Sequence, residues 1–471
     1  MTDQESSSAA AEGGETLRER IVLRPLQTRG PFPNPSRRYS RRTGTGSSLR
    51  SPIPQITPTS QTLAHTMTQS TSVYSSAAAE DGETLRERII LRPQDYIGSV
   101  DKCTRKMWVR ERLKFTHRAV TYVPGLYKIF DEVLIYAADN KQRDPSMDSL
   151  RVEIDAHQGS ISIYYNGQGL PIELHPEEEG LYMPEIIFGH LGSSYDEELT
   201  AGGRNNYGGV KLANLFSTEF VIETVDSLLE KRYKQIFSDN IGKKSEPQIT
   251  VCLQGVNWTR VTFKPDLAKF HMTHLDDDVI DLMRKRVLDM AGFLGMTVQV
   301  VFNGRMFQQS RNFGDYVYCY IIGAARDRGE EKLPWTYQRV NDNLEVCVSR
   351  SEGTFQQVSF VNKIATIEGG THVDFVSNHV ARCVAKLCNE TYKIQVEECE
   401  VKEHLWIFVN AVIENPTFNS PTRDALTSPQ KSFGFSCELS DEFVGRALRG
   451  IISKLCARNS SKYVKASERR G

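Results

Sequence analysis

Hydrophobic positions recur along this chain with two different periods, and the elements they predict begin only after residue 83. Runs that are apolar at alternate positions, LRVEI at 150–154 and SISIYY at 160–165, predict half-buried strands, and EFVIET, QITVCL, RVTF and VQVVF read the same way. Between residues 125 and 140 the stretch GLYKIFDEVLIYAADN is apolar at Leu126, Ile129, Phe130, Val133, Leu134 and Ala137, the spacing of one helix with a buried stripe. The opposite side of that helix aligns Glu132, Tyr136 and Asp139 at i, i+4 and i+7. Residues 276–292 predict another helix through Val279, Leu282, Met283, Arg286 and Val287. Strands and helices interleave irregularly, which predicts an α+β body: a mixed sheet with helices on one face. The turn dipeptide Asn303-Gly304 predicts a boundary. Beyond it, strands at 316–322, 344–349, 355–361 and 405–412 around a helix from Thr371 to about Cys388 predict a second, smaller α/β domain. A last helix is expected from just after Leu439 to about Leu455.

Residues 1–79 show neither period. They are rich in Ser, Thr, Ala, Gly and Pro, so burial cannot offset the entropy of ordering them, and a disordered arm is expected. Nine Arg against five acids make it basic. The expected organisation is therefore an arm at 1–79, a first domain at 80–303, a second at 304–450 and a tail at 451–471. One segment is duplicated: AAAEGGETLRERIVLRP at 9–25 returns as AAAEDGETLRERIILRP at 77–93. A single duplication is not a solenoid, and only the second copy leads into the folded body.

Composition narrows the picture without deciding it. The net charge of −1 gives no bulk argument for nucleic acid, so any such contact needs a local patch. No apolar run approaches membrane-spanning length, the N-terminus lacks a secretory pattern, and nine scattered Cys fit no zinc or redox spacing. A soluble intracellular chain with reduced thiols is expected, with no metal held by Cys or His.

Four short segments carry candidate chemistry. Glu132 is placed to act as a general base on water. Tyr165-Asn166-Gly167-Gln168-Gly169 runs from a strand into a tight turn that lets backbone approach a flat ligand. AGGRNNYGGVK at 201–211, with Gly203, Arg204, Asn205, Tyr207, Gly208 and Lys211, is a glycine-rich loop feeding a helix, a disposition that suits phosphate. Thr259, in a strand, has a hydroxyl that can bond a base. Taken singly each is weak, because glycine-rich stretches are more often plain turns.

Their order resembles one family. LRPQDYIGSV, FDEVLIYAADNKQRDP, NGQGLP, IFGHL, GGRNNYGG, FVNKIATIEGGTHVDFV and WIFVNAVIENPTFNSPT, in that sequence, look like the ATPase and transducer regions of eukaryotic DNA topoisomerase II, over about residues 83–450. The resemblance implies a GHKL (Bergerat) ATPase sandwich followed by a transducer, with ATP and Mg2+ as cofactors. It also implies an ATP-operated dimer gate acting on DNA, as a homodimer or with a full-length topoisomerase, in the nucleus. Glu132 falls on the family's water-activating glutamate. Arg204, Asn205, Tyr207 and Gly208 fall on the phosphate loop, Ser193 and Ser194 on the pair that contacts ribose and phosphates, and Thr259 on the threonine near the base. Thr422 and Arg423 fall on the QTK loop, whose lysine reaches the γ-phosphate.

The departures from that pattern gather in the site. Tyr136 stands where the family has the Asn that helps hold magnesium, and a neutral phenol is a poor ligand for a hard cation. Tyr165 replaces a second nucleotide-contacting Asn, Tyr195 a third, Asn206 a glycine, and Lys211 is displaced by one residue. Arg423 keeps the QTK charge with a different reach, and Pro421 fixes the backbone before it. Glu80 stands at the partner-reaching Tyr of the strap, and the lysine-rich DNA loop has become CNETYKIQ. No acidic EGDSA-type motif or winged-helix tyrosine follows, so this polypeptide alone is not expected to cut DNA. Two functions follow: an ATP-binding, dimerising gate region, or a catalytically inactive pseudo-ATPase that serves as an interaction module. They differ in whether Tyr136 and Tyr165 point into the cleft.

Overall fold

The computed structural model describes residues 84–111, 114–176, 178–191, 207–253, 255–393 and 395–468, the backbone alone at 114, 207 and 458–468. The expected arm at 1–79 lies outside the described residues. Helix α1 (Leu85–Leu91) starts at a capping box: the Thr84 hydroxyl accepts the Glu87 amide, and the Glu87 carboxylate accepts the Thr84 amide. Ile89 of α1 is buried, and Arg86 donates to the carbonyls of Asp239 and Asn240, both at 2.8 Å. A hairpin follows, β1 (Cys103–Glu111) with β2 (Lys114–Tyr122), which the sequence reading did not include. Helix α2 (Pro124–Arg143) has Pro at its first position, where no intrahelical donor is needed.

The sheet behind α2 is built from β3 (Ser149–Asp155) and β4 (Ser160–Asn166), then, after helices α3 (Met183–Phe188) and α4 (Tyr207–Leu215), from β5 (Ser217–Asp226), β6 (Lys231–Ser238), β7 (Lys243–Lys244), β8 (Gln248–Val251) and β9 (Trp258–Pro265). Helix α5 (Asp277–Leu294), β10 (Gln299–Phe302) and β11 (Arg305–Met306) complete it. The strands run in the order β11-β10-β3-β4-β9-β5-β6-β7, with β8 also on β6. Only β10 on β3 is parallel among these pairings, so the sheet is mixed. Alternation does what the sequence suggests. Ile161, Ile163 and Tyr165 of β4 are buried on the face that carries the helices, while Ser162 and Tyr164 lie on the other.

A second sheet follows helix α6 (Phe313–Asp327). It comprises β12 (Trp335–Asn341), β13 (Leu344–Arg350), β14 (Gln356–Val361), β15 (Ile364–Ala365) and, beyond the pair-forming β16 (Gly369–Gly370) and helix α7 (Thr371–Leu387), β17 (Leu405–Ala411), in the order β12-β13-β17-β14-β15. Strand β18 (Ala425–Leu426) pairs with β16, and helix α8 (Asp441–Glu468) is the last described element. One hydrophobic core runs through both sheets, joining Phe130 and Leu134 of α2 to Tyr316, Phe360 and Trp406.

Two expectations are corrected. Residues 316–322 are not a strand but the middle of α6, where Tyr316, Val317, Tyr320, Ile321 and Ala324 are buried at helical spacing. The Asn312 side chain accepts the Asp315 amide at 3.0 Å and starts the helix, and this cap with core packing overrides the strand preference of Tyr, Val and Ile. The last helix does not stop near Leu455 but runs to Glu468, because Ile451, Ile452 and Leu455 are its buried side and nothing in the polar continuation breaks the backbone ladder.

Candidate functional site

Glu132 is the centre of a buried charge cluster on α2. Its side chain is 1% exposed, and Lys128, one turn earlier, donates to Oε1. Arg423, on the turn after β17, brings Nη2 to 3.3 Å from the same oxygen. That turn is tight: Arg423 has φ +60, and its amide bonds the Ser420 carbonyl at 3.0 Å. Burial alone would raise the Glu132 carboxyl, but the Arg423 and Lys128 cations outweigh it and hold it below its ordinary value. Lys128 is itself held low, by burial first and then by Arg423. Helix α4 abuts the cluster at Gly209, where a Cβ would overlap the Glu132 carboxylate. Oε2 has no hydrogen-bond partner among the described residues.

One turn along α2 the helix meets the sheet through aromatic rings. Tyr136 and Tyr165 are each 2% exposed and pack edge to face with centroids 6.4 Å apart. Phe188 of α3 adds a second edge contact to Tyr136 at 5.3 Å, and the Arg143 guanidinium lies 4.8 Å from the Tyr136 ring centroid. Tyr165 stands directly opposite Thr259 across the β4–β9 ladder. The Thr259 hydroxyl is fully buried and bonds that of Thr224 at 2.9 Å.

The glycine turn after β4 is held by protein atoms. Asn166 accepts the amides of Asp148 and Ser149 at 3.1 and 2.8 Å and donates to the Asp148 carboxylate at 2.7 Å. Gly167 has φ +98, and a Cβ there would lie 2.6 Å from the Asp144 carboxylate, while one at Gly169 would lie 2.7 Å from the Val225 carbonyl. The turn's glycines thus let backbone approach other parts of the protein. Asp139 accepts Lys363 Nζ at 2.8 Å across to the β14–β15 turn. The Thr422 hydroxyl donates to Asp424 at 2.9 Å within its own turn. Gly208 and Lys211 are buried in α4, and Tyr207 begins that helix. Ser193, Ser194, Gly203, Arg204 and Asn205 lie outside the described residues.

The structure therefore brings Glu132, Tyr136, Tyr165, Thr259, Arg423 and the start of α4 onto one side of the first sheet. Asp139 instead faces the second sheet. The protein-family model for DNA gyrase B matches residues 314–463. DNA topoisomerase 2 of Arabidopsis thaliana is 52% identical over 395 residues, covering 81% of this chain and 27% of that protein, and human DNA topoisomerase 2-alpha is 44% identical over 381 residues. The crystal structure of the ATPase region of Saccharomyces cerevisiae topoisomerase II superposes with a TM-score of 0.72 at 38% identity, covering 82% of this chain and all of that one. The chain belongs to the eukaryotic type II DNA topoisomerase family. It spans about a quarter of the length of the curated relatives it matches. The 43K ATPase domain of Thermus thermophilus gyrase B, at 20% identity and a TM-score of 0.54, shares the fold.

Membership in the topoisomerase II family, whose ATPase region is of the GHKL type, implies ATP and Mg2+. At the position to which the resemblance gives a magnesium-holding amide, the structure has the Tyr136 ring packed against Tyr165, Phe188 and Arg143, and a neutral phenol fits a hard cation poorly. Sequence reasoning missed Lys128, although its i, i+4 relation to Glu132 was a sufficient signal, and Phe188, whose role depends on a fold contact with no local mark. It also missed Lys363, and it read Arg286 only as a position at helical spacing, not as the buried cation that binds Asp131 at 2.6 Å and the Lys363 carbonyl at 2.6 Å.

Proposed function

We propose that this chain is a topoisomerase II-type gate region whose nucleotide cleft is closed from within, acting as a dimerisation or interaction module and not as an ATP hydrolase. The observation that supports it is the mutual packing of the buried Tyr136 and Tyr165 rings on the helix-covered face of the sheet, with Glu132 neutralised beside them by Lys128 and Arg423. Two aromatic side chains occupy space that amides would leave free, and each lost hydrogen bond to a charged ligand costs about 1.5–3 kcal/mol. Two or three such losses weaken binding by several orders of magnitude. On this reading the first domain ends between β11 and α6, near residue 304, and the second continues to about 450. The partner is a second copy of the chain or a full-length topoisomerase, DNA being contacted only through that assembly, and the place of action is the nucleus. No described helix is long and apolar enough to cross a membrane.

The test is calorimetric titration of the whole chain with a magnesium–ATP analogue. Heat of binding should be undetectable at micromolar protein, and Tyr136→Asn with Tyr165→Asn should restore it. Tight binding by the unaltered chain would remove the proposal. One observation favours the rival, an ATP-using gate: Glu132 is retained, and the Arg423 and Lys128 cations hold its carboxyl below its ordinary value despite burial. In that case turnover should be measurable and Glu132→Gln should abolish it.

A further inference from the structure

The first sheet has a second face, turned away from α2, α4 and α5, and its side chains form an interleaved array of cations and rings. The strand registers place Arg151, Tyr164, Arg260, Glu223 and Lys234 in one row across β3, β4, β9, β5 and β6. Trp258 and Arg232 lie beside that row, both opposite Val225. The guanidinium of Arg151 sits 5.2 Å from the Tyr164 centroid, that of Arg260 5.6 Å from Tyr164 and 5.5 Å from Trp258, and that of Arg232 5.8 Å from Trp258. The two rings are themselves 5.8 Å apart and tilted by 33°. Arg151, Arg260 and Arg232 are exposed, and both rings are half-buried.

Four carboxylates share this face, two of them in ion pairs and two, Glu153 and Asp155, farther along β3. Glu223 bonds Arg232 at 2.9 Å, Glu219 pairs with Lys264 at 3.0 Å, and Glu153 stands one row from Arg151, opposite Ser162. Around Tyr164 and Trp258 the Glu223–Arg232 pair is internally matched, which leaves Arg151, Arg260 and Lys234 in excess, with Glu153 one row away. Four inter-strand spacings separate β3 from β6, about 19 Å. Rings and guanidinium planes alternating along a positive track are what an unpaired nucleic-acid strand needs, since its phosphates follow the charge and its bases stack on the π faces. A duplex hides those base faces, so the rings would add nothing to its binding.

We propose that this outer sheet face, centred on Tyr164, Trp258, Arg151, Arg260 and Arg232, is a binding site for single-stranded nucleic acid. It is independent of the Glu132 cluster, which lies on the opposite face, and does not depend on whether ATP is bound. The site takes a run of about four nucleotides, near the lower limit for stacking platforms on small sheets.

The test uses the full chain and a fluorescein-labelled twelve-nucleotide single strand, read by anisotropy as a function of salt. Every protein compared carries Arg37, Arg38, Arg41 and Arg42 changed to Ser, so that the basic N-terminal stretch does not set the signal. Tyr164→Ala with Trp258→Ala should weaken binding at least tenfold with the salt slope unchanged, whereas Arg151→Ala with Arg260→Ala should lower the slope by one to two units. Binding within twofold of the parent after both rings are removed would overturn the proposal. So would equal affinity for a duplex of the same length, which would mark the face as a general polyanion surface. Photocrosslinking of a bromouracil-substituted strand to the parent protein needs no substitution in the sheet: adducts on the peptides holding Tyr164 or Trp258 support the site, and adducts confined to other peptides refute it.

Discussion

At the scale of single residues, the behaviour of this chain turns on a buried carboxylate that has been given two cations. Removing the charge of Glu132 leaves Lys128 and Arg423 buried without a counter-ion, so Glu132→Gln should destabilise the fold by about 3–5 kcal/mol, measured by urea unfolding at neutral pH. The sign with pH follows from the lowered carboxyl. A carboxylate whose pKa is lower folded than unfolded contributes stability above its unfolded value, near 4.5, and loses it as pH falls through the folded one. The difference between the parent and Glu132→Gln should therefore be constant at neutral pH and shrink only below about 4.5. A gap that closed at higher pH would mean the carboxyl is not held low. Gly209→Ala tests the same contact from the other side, since the added methyl overlaps Glu132; a loss of about 1–3 kcal/mol is expected, against near neutrality at the open Gly180 only once its φ of +79 is discounted. Much at this scale was legible. The i, i+4, i+7 spacing put Glu132, Tyr136 and Asp139 on one helix, and the family resemblance marked Tyr136 and Tyr165 as departures. What could not be read was direction. Whether two tyrosines lie flat on a surface or edge to face inside depends on how α2 seats against β4, and Arg423 reaches Glu132 from a turn just before β18 in which its backbone is left-handed.

At the scale of elements, strands β3, β4, β5, β8, β9 and β10 of the first sheet and helices α2 and α5 followed from periodicity, whereas β6 and the two-residue strands β7 and β11 were not read. Helix α6 did not follow, because a buried helix among rings and β-branched residues has apolar positions nearly all round and no clean period to read. The β1–β2 hairpin escaped for the opposite reason: its residues alternate weakly, since Arg105, Arg110, Lys114 and Arg118 interrupt both faces. Helix α7 supplies a prediction of its own. His372 in its first turn is buried, shares a hydrogen bond with the Thr366 hydroxyl at 3.1 Å, and is pushed by burial down to about 3. A base held neutral in the fold and free to protonate when unfolded costs stability as pH drops below its unfolded value of 6.5. Acid should thus weaken the protein by up to about 1.4 kcal/mol per pH unit between roughly 6.5 and 3 from this group. His372→Gln should remove one proton's worth of slope from the stability-versus-pH curve over that window, and an unchanged slope would mean the imidazole titrates normally. Thr84→Ala, which breaks the capping box of α1, should cost about 1 kcal/mol at neutral pH.

At the scale of the whole molecule, the two sheets are coupled by a few buried charges that converge on α2. Arg286 of α5 is fully buried. It binds Asp131 of α2 at 2.6 Å, approaches Asp289 at 3.6 Å, and donates to the Lys363 carbonyl at 2.6 Å, while the Lys363 amine holds Asp139 at 2.8 Å. Burial alone would lower the Arg286 guanidinium, yet Asp131 and its neighbours hold it above its ordinary value, and burial raises Asp131 despite that partner. Such a pair adds little net stability compared with apolar packing, but removing one member strands the other, at a cost of about 3–5 kcal/mol. Because the stranded group lies where the β14–β15 turn meets α2, the loss should fall on the link between the sheets and not evenly on both. Calorimetry of the parent should show one cooperative transition for the body that holds both sheets, since one core runs through them. Arg286→Met, which keeps the volume and removes the charge, should separate that transition into two. Arg339→Met removes an exposed ion pair with Asp342 from the second sheet and should leave a single peak within a degree or so of the parent. If both variants behaved alike, the coupling would reside in the shared apolar core, and the buried charges on α2 would be passengers in it.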